Sequence, residues 1–124
     1  MDLEPTDDQA ALAAELARFL GDRVTPEARR AAAERPGGVD RDLWRSLGEM
    51  GTFALTVPEA SGGVGLGLAE ATLVFEELGR AAVPGPLIGT FLAAGLDVPV
   101  AAAAGAGEAV VGLVPAGRPA FVEH

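Results

Sequence analysis

The sequence predicts a mainly α protein: a helical domain over residues 1–105, then one or two strands of an incomplete β domain over residues 106–124. Three observations lead there. Hydrophobic residues make up 49% of the 124 residues but aromatics only 5%, and alanine-rich packing favours closely spaced helices over a thick sheet core. Apolar residues recur at helical spacing in three separate runs, two of them opened by an N-capping residue. Only towards the end does a strand pattern emerge, in "EAVVGLVP".

The first helix is signalled by Thr6 and Gln9, which have the spacing of a capping box, with Pro5 just outside it. Asp7 and Asp8 fall in the first turn, where negative charge suits the helix dipole. Leu12, Leu16, Phe19 and Leu20 give it one buried stripe. Gly21 and Thr25-Pro26 mark an interruption, with Thr25 as a cap and Pro26 at a first helical position. Residues 27–35 then read as a surface helix ending at Pro36-Gly37-Gly38.

Asp40 is a good N-cap for a helix from Arg41 to Met50, with Leu43, Leu47 and Met50 on one face and Trp44 beside them. Gly51 is placed to end it in a left-handed conformation. Thr52 to Val57 reads as an extended connector rather than a sheet strand. After a glycine loop, Leu68 to Leu78 has an apolar face of Ala71, Val74, Phe75 and Leu78, with Glu70, Glu76 and Glu77 mostly off it. Val83-Pro84-Gly85-Pro86 is a sharp break. "PLIGTFLAAGL" follows, about three helical turns with apolar residues on almost every side, the pattern of a buried helix or of a cavity wall. "PVAAAAGAGE" adds two helical turns, and Glu108 to Val114 reads as a strand. A turn at Gly117-Arg118-Pro119 leads to "AFVEH", the opening of a second strand. Such strands cannot satisfy their own edges, so the sequence reads as cut shortly after a β domain begins.

Charge and composition exclude several functions. The formal net charge of −9 argues against nucleic acid and an anionic membrane surface. All nine cations are arginines, so neither a Walker lysine nor Schiff-base chemistry is available. There is no cysteine, and the only histidine is His124, which leaves no thiolate, no cysteine or histidine metal site and no Ser-His-Asp triad. "MDLEPTDDQ" is not a signal peptide, and no apolar run approaches the ~20 residues of a membrane span. A cytoplasmic location is expected.

The stretch "PEASGGVGLG" places four glycines, Gly62, Gly63, Gly65 and Gly67, within six positions. A dinucleotide fingerprint requires G-x-G-x-x-G after a buried strand and a P-loop requires G-x-x-x-x-G-K-[ST]. The pattern here is G-G-x-G-x-G, and the segment before it ends in Val57-Pro58-Glu59, with a carboxylate where a phosphate wants donors. The simple reading is a sharp turn that packs backbone close to neighbouring helices. The functional variant is that the same close approach leaves room for a slim ligand such as an acyl chain.

Several elements then agree in order and spacing. A Leu-rich helix ends at Gly51, a loop carries Val57-Pro58-Glu59 and Gly62-Gly63-Val64-Gly65, and a helix ends in Glu76-Glu77-Leu78-Gly79-Arg80. The run from Leu43 to Leu87, the central third of the chain, resembles the N-terminal helical domain of the FAD-dependent acyl-CoA dehydrogenases. The resemblance implies a helical N-terminal domain, a middle β-barrel-like domain and a C-terminal four-helix bundle, with Glu108 near the entry to the middle domain. It implies removal of an α-proton from an acyl-CoA thioester by a glutamate base, with transfer of the β-hydride to flavin N5.

In that family the base and most flavin contacts lie in the two later domains. No catalytic residue, no metal ligand and no FAD-binding residue is therefore assigned here, and the chain alone is expected neither to retain FAD nor to oxidise acyl-CoA. The resemblance assigns Gly62, Gly63 and Gly65 of the loop, with Leu87, Phe91 and Leu92 of the apolar helix, to the wall of the acyl-CoA pocket. Core packing is the competing reading for the apolar three. Glu76 and Glu77 fit a surface helix face, Trp44 a core anchor and Arg80 a complement to its helix C-terminus. The expected partners are the remaining domains or a partner subunit, in a homo- or hetero-oligomer. The alternative function is a non-catalytic helical partner subunit, or a lipid-binding remnant of the same family.

Overall fold

The computed structural model describes residues 3–117. The α-helices among them are α1 (Asp7–Arg23), α2 (Pro26–Ala33), α3 (Arg41–Glu49), α4 (Leu68–Arg80), α5 (Leu87–Ala94) and α6 (Ala101–Gly105). No strand forms among the described residues. The expected mainly helical fold is what the chain adopts.

The caps read from the sequence are made. Thr6 Oγ1 accepts from the Gln9 amide at 3.2 Å, and the Thr6 amide donates to Gln9 Oε1 at 3.0 Å. Thr25 Oγ1 accepts from Ala28 N at 3.1 Å, with Pro26 in the first helical position. Asp40 Oδ1 accepts from the amides of Asp42 and Leu43 at 3.0 and 3.2 Å, and Arg35 pairs with it at 2.9 Å. Each cap satisfies amides that a helix start leaves without partners. Gly21 does not interrupt α1, which runs on to Arg23. The modest propensity cost of a helical glycine is outweighed by the burial of Leu20 and Val24 on either side of it.

Helix α1 packs along α4, and α5 along α6. The main core joins Leu16 and Leu20 of α1, Trp44 and Leu47 of α3, and Val74 and Leu78 of α4. Phe53 and Leu55 enter the same core from the segment after α3. That segment, residues 52–57, is not the extended connector expected. It is a succession of turns, with Ala54 N donating to Gly51 O and Val57 N to Ala54 O, both at 3.2 Å. Among the described residues no strand lies alongside to pair its amides, and those of Thr52, Ala54 and Val57 turn back on nearby carbonyls while both large side chains are buried.

The expected strand at Glu108 to Val114 is likewise absent. The segment runs irregularly beside α3 and α5 and is held by side chains: Trp44 Nε1 donates to Ala109 O at 3.2 Å, and Val111 N donates to Thr90 Oγ1 at 3.0 Å. A strand requires a ladder partner, and these helix-borne groups take up the backbone instead. The second expected strand, 120–124, lies outside the described residues.

Helix α5 is shorter than the three turns expected. It buries Gly89, Thr90, Ala93 and Ala94 and leaves Ile88 and Leu92 59% and 45% exposed. Its all-round apolar character therefore divides into a core face and an uncovered face.

Candidate functional site

The glycine loop is built by backbone bonds that fold it onto the turns before it. Val64 N donates to Ala54 O at 3.0 Å, Gly65 N to Val57 O at 2.9 Å and Leu66 N to Leu55 O at 2.8 Å. Gly62 and Gly65 take left-handed φ values of 86° and 72°, a region that side chains disfavour. At Gly63 the demand is steric, since a Cβ there would overlap the Val57 carbonyl. The loop is thus the close-packed turn its glycines suggest, pinned to a buried segment.

Between this loop, the end of α3 and the α5–α6 connection lies an open cleft of about 1000 Å³. Gly62, Gly63 and Val64 form one side of it, with Met50 at the α3 end. Ala94, Leu96, Val98 and Ala102 face them from the α5–α6 side. Glu49 and Asp97 also line it, and no arginine among the described residues does. A second groove of about 400 Å³ runs between α4 and the start of α5, lined by Phe75, Gly79, Pro86, Leu87, Ile88 and Leu113.

The six pocket residues expected from the sequence are not brought into one place. Gly62 and Gly63 line the larger cleft and Leu87 the smaller groove. Gly65 lines neither and packs beside Glu59. Phe91 packs edge-on against Phe75, ring centroids 5.0 Å apart and planes at 69°. Leu92 stands on the uncovered face of α5. The structure adds Met50, Leu96 and Val98 to the larger cleft. Leu96 and Val98 lie in "GLDVPV", between two helices, where a search for periodicity has no regular element to assign.

The remaining candidates resolve simply. Arg80 pairs with both Glu76 and Glu77 at 2.9 Å; Glu76 lies on the α4 surface as expected, whereas the Glu77 side chain is only 14% exposed. Trp44 is buried against Phe53, centroids 4.8 Å apart, as a core anchor should be. Among the described residues no group of three or more His, Cys, Asp and Glu is placed to hold a metal ion, and no helix is long and apolar enough to cross a membrane. Nor does the cleft on its own fit a flavin dinucleotide. A pyrophosphate wants cations and amide donors, whereas the charged side chains here are Glu49 and Asp97.

The described residues thus form a helical domain with two open recesses, the larger of which carries two carboxylates, Glu49 and Asp97, among glycines and aliphatic side chains. Comparison with known proteins gives the family. The sequence profile of the acyl-CoA dehydrogenase N-terminal domain matches residues 6–108, and the chain belongs to the acyl-CoA dehydrogenase family. It is 46% identical over 89 residues to the acyl-CoA dehydrogenase IpdE2 of Mycolicibacterium smegmatis, a match covering 71% of this chain and 29% of that protein. It is 40% identical over 80 residues to benzylmalonyl-CoA dehydrogenase of Aromatoleum aromaticum, covering 64% of this chain and 21% of that one. Among solved structures it resembles a chain of the ChsE4-ChsE5 complex of Mycobacterium tuberculosis, with a TM-score of 0.75 and 27% identity over 89% of this chain and 33% of that one. The chain therefore spans about a third or less of the relatives it matches.

Proposed function

We propose that this chain is the N-terminal portion of an FAD-dependent acyl-CoA dehydrogenase, which introduces an α,β double bond into an acyl-CoA thioester. Residues 1–105 are read as the helical domain and 106–124 as the approach to the middle domain. The chain's part is to supply a wall of the acyl-binding cleft. The observation that carries this is the cleft of about 1000 Å³ between the glycine loop and the α5–α6 connection, lined mainly by glycines, alanines and aliphatic side chains, with Glu49 and Asp97 among them. Its backbone lies close to the open space, so it offers contact area with little side-chain bulk.

In this reading Gly62 and Gly63 face the acyl group directly, and Gly65 holds the turn behind them. Leu87, Phe91 and Leu92 shape the neighbouring α4–α5 wall. The catalytic base and the flavin site belong to sequence beyond this chain, as does any step of the chemistry. The similar ChsE4-ChsE5 structure is a complex, which favours a partner subunit and a hetero-oligomer; a cytoplasmic location goes with this reading. The alternative of a non-catalytic or lipid-binding remnant has no observation of its own in its favour.

The test is expression of the complete reading frame that contains this chain. Flavin co-purifying with the product, and its bleaching on addition of acyl-CoA thioesters, is the expected result. The isolated chain is expected to do neither. A complete protein that binds no flavin would overturn the proposal.

A further inference from the structure

The far end of the glycine loop is tied to a helix distant in sequence. Glu70, in the first turn of α4, uses its two carboxylate oxygens differently. Oε2 accepts the Gly67 amide at 3.0 Å, closing the start of α4 onto the last glycine of the loop. Oε1 accepts from Gln9 Nε2 at 2.9 Å, across 61 positions of sequence. Gln9 Oε1 meanwhile accepts the Thr6 amide at 3.0 Å. A single chain of bonds, Thr6–Gln9–Glu70–Gly67, thus joins the capping box of α1 to the Gly67 amide at the start of α4.

Its polarity leaves little freedom. Three donors (Thr6 N, Gln9 Nε2 and Gly67 N) meet three acceptors (Gln9 Oε1, Glu70 Oε1 and Glu70 Oε2). If the Gln9 amide were reversed, its nitrogen would face the Thr6 N–H and its oxygen the Glu70 carboxylate. The loop is also pinned at Val64, Gly65 and Leu66, whose amides donate to the Ala54, Val57 and Leu55 carbonyls. Glu70 adds a side-chain bond at the next residue, Gly67.

We propose that Glu70, acting through Gln9, is the positioning residue that sets the glycine-loop wall of the cleft by clamping Gly67 to the start of α1. The clamp couples the docking of α1 on α4 to the shape of the loop. It takes from the acyl-pocket reading only what the loop encloses.

The donor pattern supplies the test. Glu70→Gln leaves one acceptor for two donors, so either the Gly67 bond or the Gln9 bond is lost. Gln9→Glu sets two carboxylates against each other. The double variant Gln9→Glu/Glu70→Gln restores every bond with the roles exchanged. The carboxylate now at position 9 accepts from Thr6 N and from the amide nitrogen at position 70, whose oxygen accepts from Gly67 N. Amide hydrogen exchange should show each single variant speeding Val64 to Gly67 about tenfold. Leu16 and Leu47, at helix centres, should be unchanged, and the double variant should return to within about twofold of the parent.

Loop exchange unaltered by both single changes would overturn the clamp. So would a double variant as fast as the single ones, or an acceleration shared equally by Leu16 and Leu47. No acyl ligand enters the measurement, so a failure of acyl-CoA binding would not touch the clamp, nor the clamp's failure the acyl reading.

Discussion

The indole Nε1 of Trp44 donates to the Ala109 carbonyl at 3.2 Å, fastening the segment after α6 onto the centre of α3. Two neighbouring close approaches make this a seam rather than a single bond. A Cβ on Gly48 would overlap the backbone at Ala106, and one on Gly107 would meet the Trp44 carbonyl.

Trp44→Phe keeps most of the ring but leaves the Ala109 carbonyl without its donor. The expected loss is about 1–2 kcal/mol, read from the denaturant midpoint at unchanged slope. Trp44→Ala should cost about 3–5 kcal/mol. A Phe variant as stable as the parent would show that water replaces the indole at no cost.

Thr90 is fully buried and both receives and gives a bond: Val111 N donates to its hydroxyl at 3.0 Å, and the hydroxyl donates to Val111 O at 3.4 Å. Thr90→Val is nearly equal in shape but strands both backbone groups. A loss of about 1–3 kcal/mol is expected, with the Val111 amide losing exchange protection. Unchanged protection there would remove Thr90 as the holder of this segment.

Two loop glycines should differ for separate reasons. Gly62→Ala meets open space and only the left-handed φ of 86°, so about 1 kcal/mol is expected. Gly63→Ala drives a methyl group into the Val57 carbonyl, and about 3 kcal/mol or more should follow because the loop must move. Thermal unfolding of the two variants side by side ranks them; equal costs would mean the loop yields freely.

Acid should weaken the fold through two carboxylates. Burial raises the pKa of Asp40, but the Leu43 amide, the Arg35 guanidinium and the Asp42 amide together outweigh it, so the group is held below its ordinary value. The Gln9 amide first, then backbone donors, do the same for Glu70. A depressed folded pKa means that the unfolded chain binds more protons in this range. The stabilisation is therefore complete above the unfolded values, about pH 5 and up, and is lost as pH falls through the lower folded values. Asp40→Asn should flatten the acid limb of the stability curve while keeping a cap at neutral pH. A limb as steep as the parent's would exclude Asp40 as a contributor.

Local structure was legible wherever the signal is local. Thr6 with Gln9, Thr25 with Pro26, Asp40 and Gly51 each specify a helix end through groups within a few residues, and all four form as read. The family was legible too, because its elements follow one another at fixed spacing between Leu43 and Leu87. The sequence could not say whether an apolar, β-branched run becomes a strand, since that depends on what lies beside it. Residues 52–57, read as extended but not as a strand, fold into turns, and residues 108–114, read as a strand, have Ala109 O and Val111 N taken up by Trp44 and Thr90.

The placement of the recesses belongs to tertiary structure alone. The family resemblance grouped Leu87, Phe91 and Leu92 with the loop glycines as a single wall. Packing sends Phe91 to Phe75 and Leu87 to a separate groove, and brings Leu96 and Val98 to the cleft from an irregular segment. The bond between Gln9 and Glu70 was equally out of reach. Gln9 reads locally as part of the α1 cap and Glu70 as a carboxylate off the apolar face of α4, and only the docking of α1 on α4 brings the two within hydrogen-bonding distance.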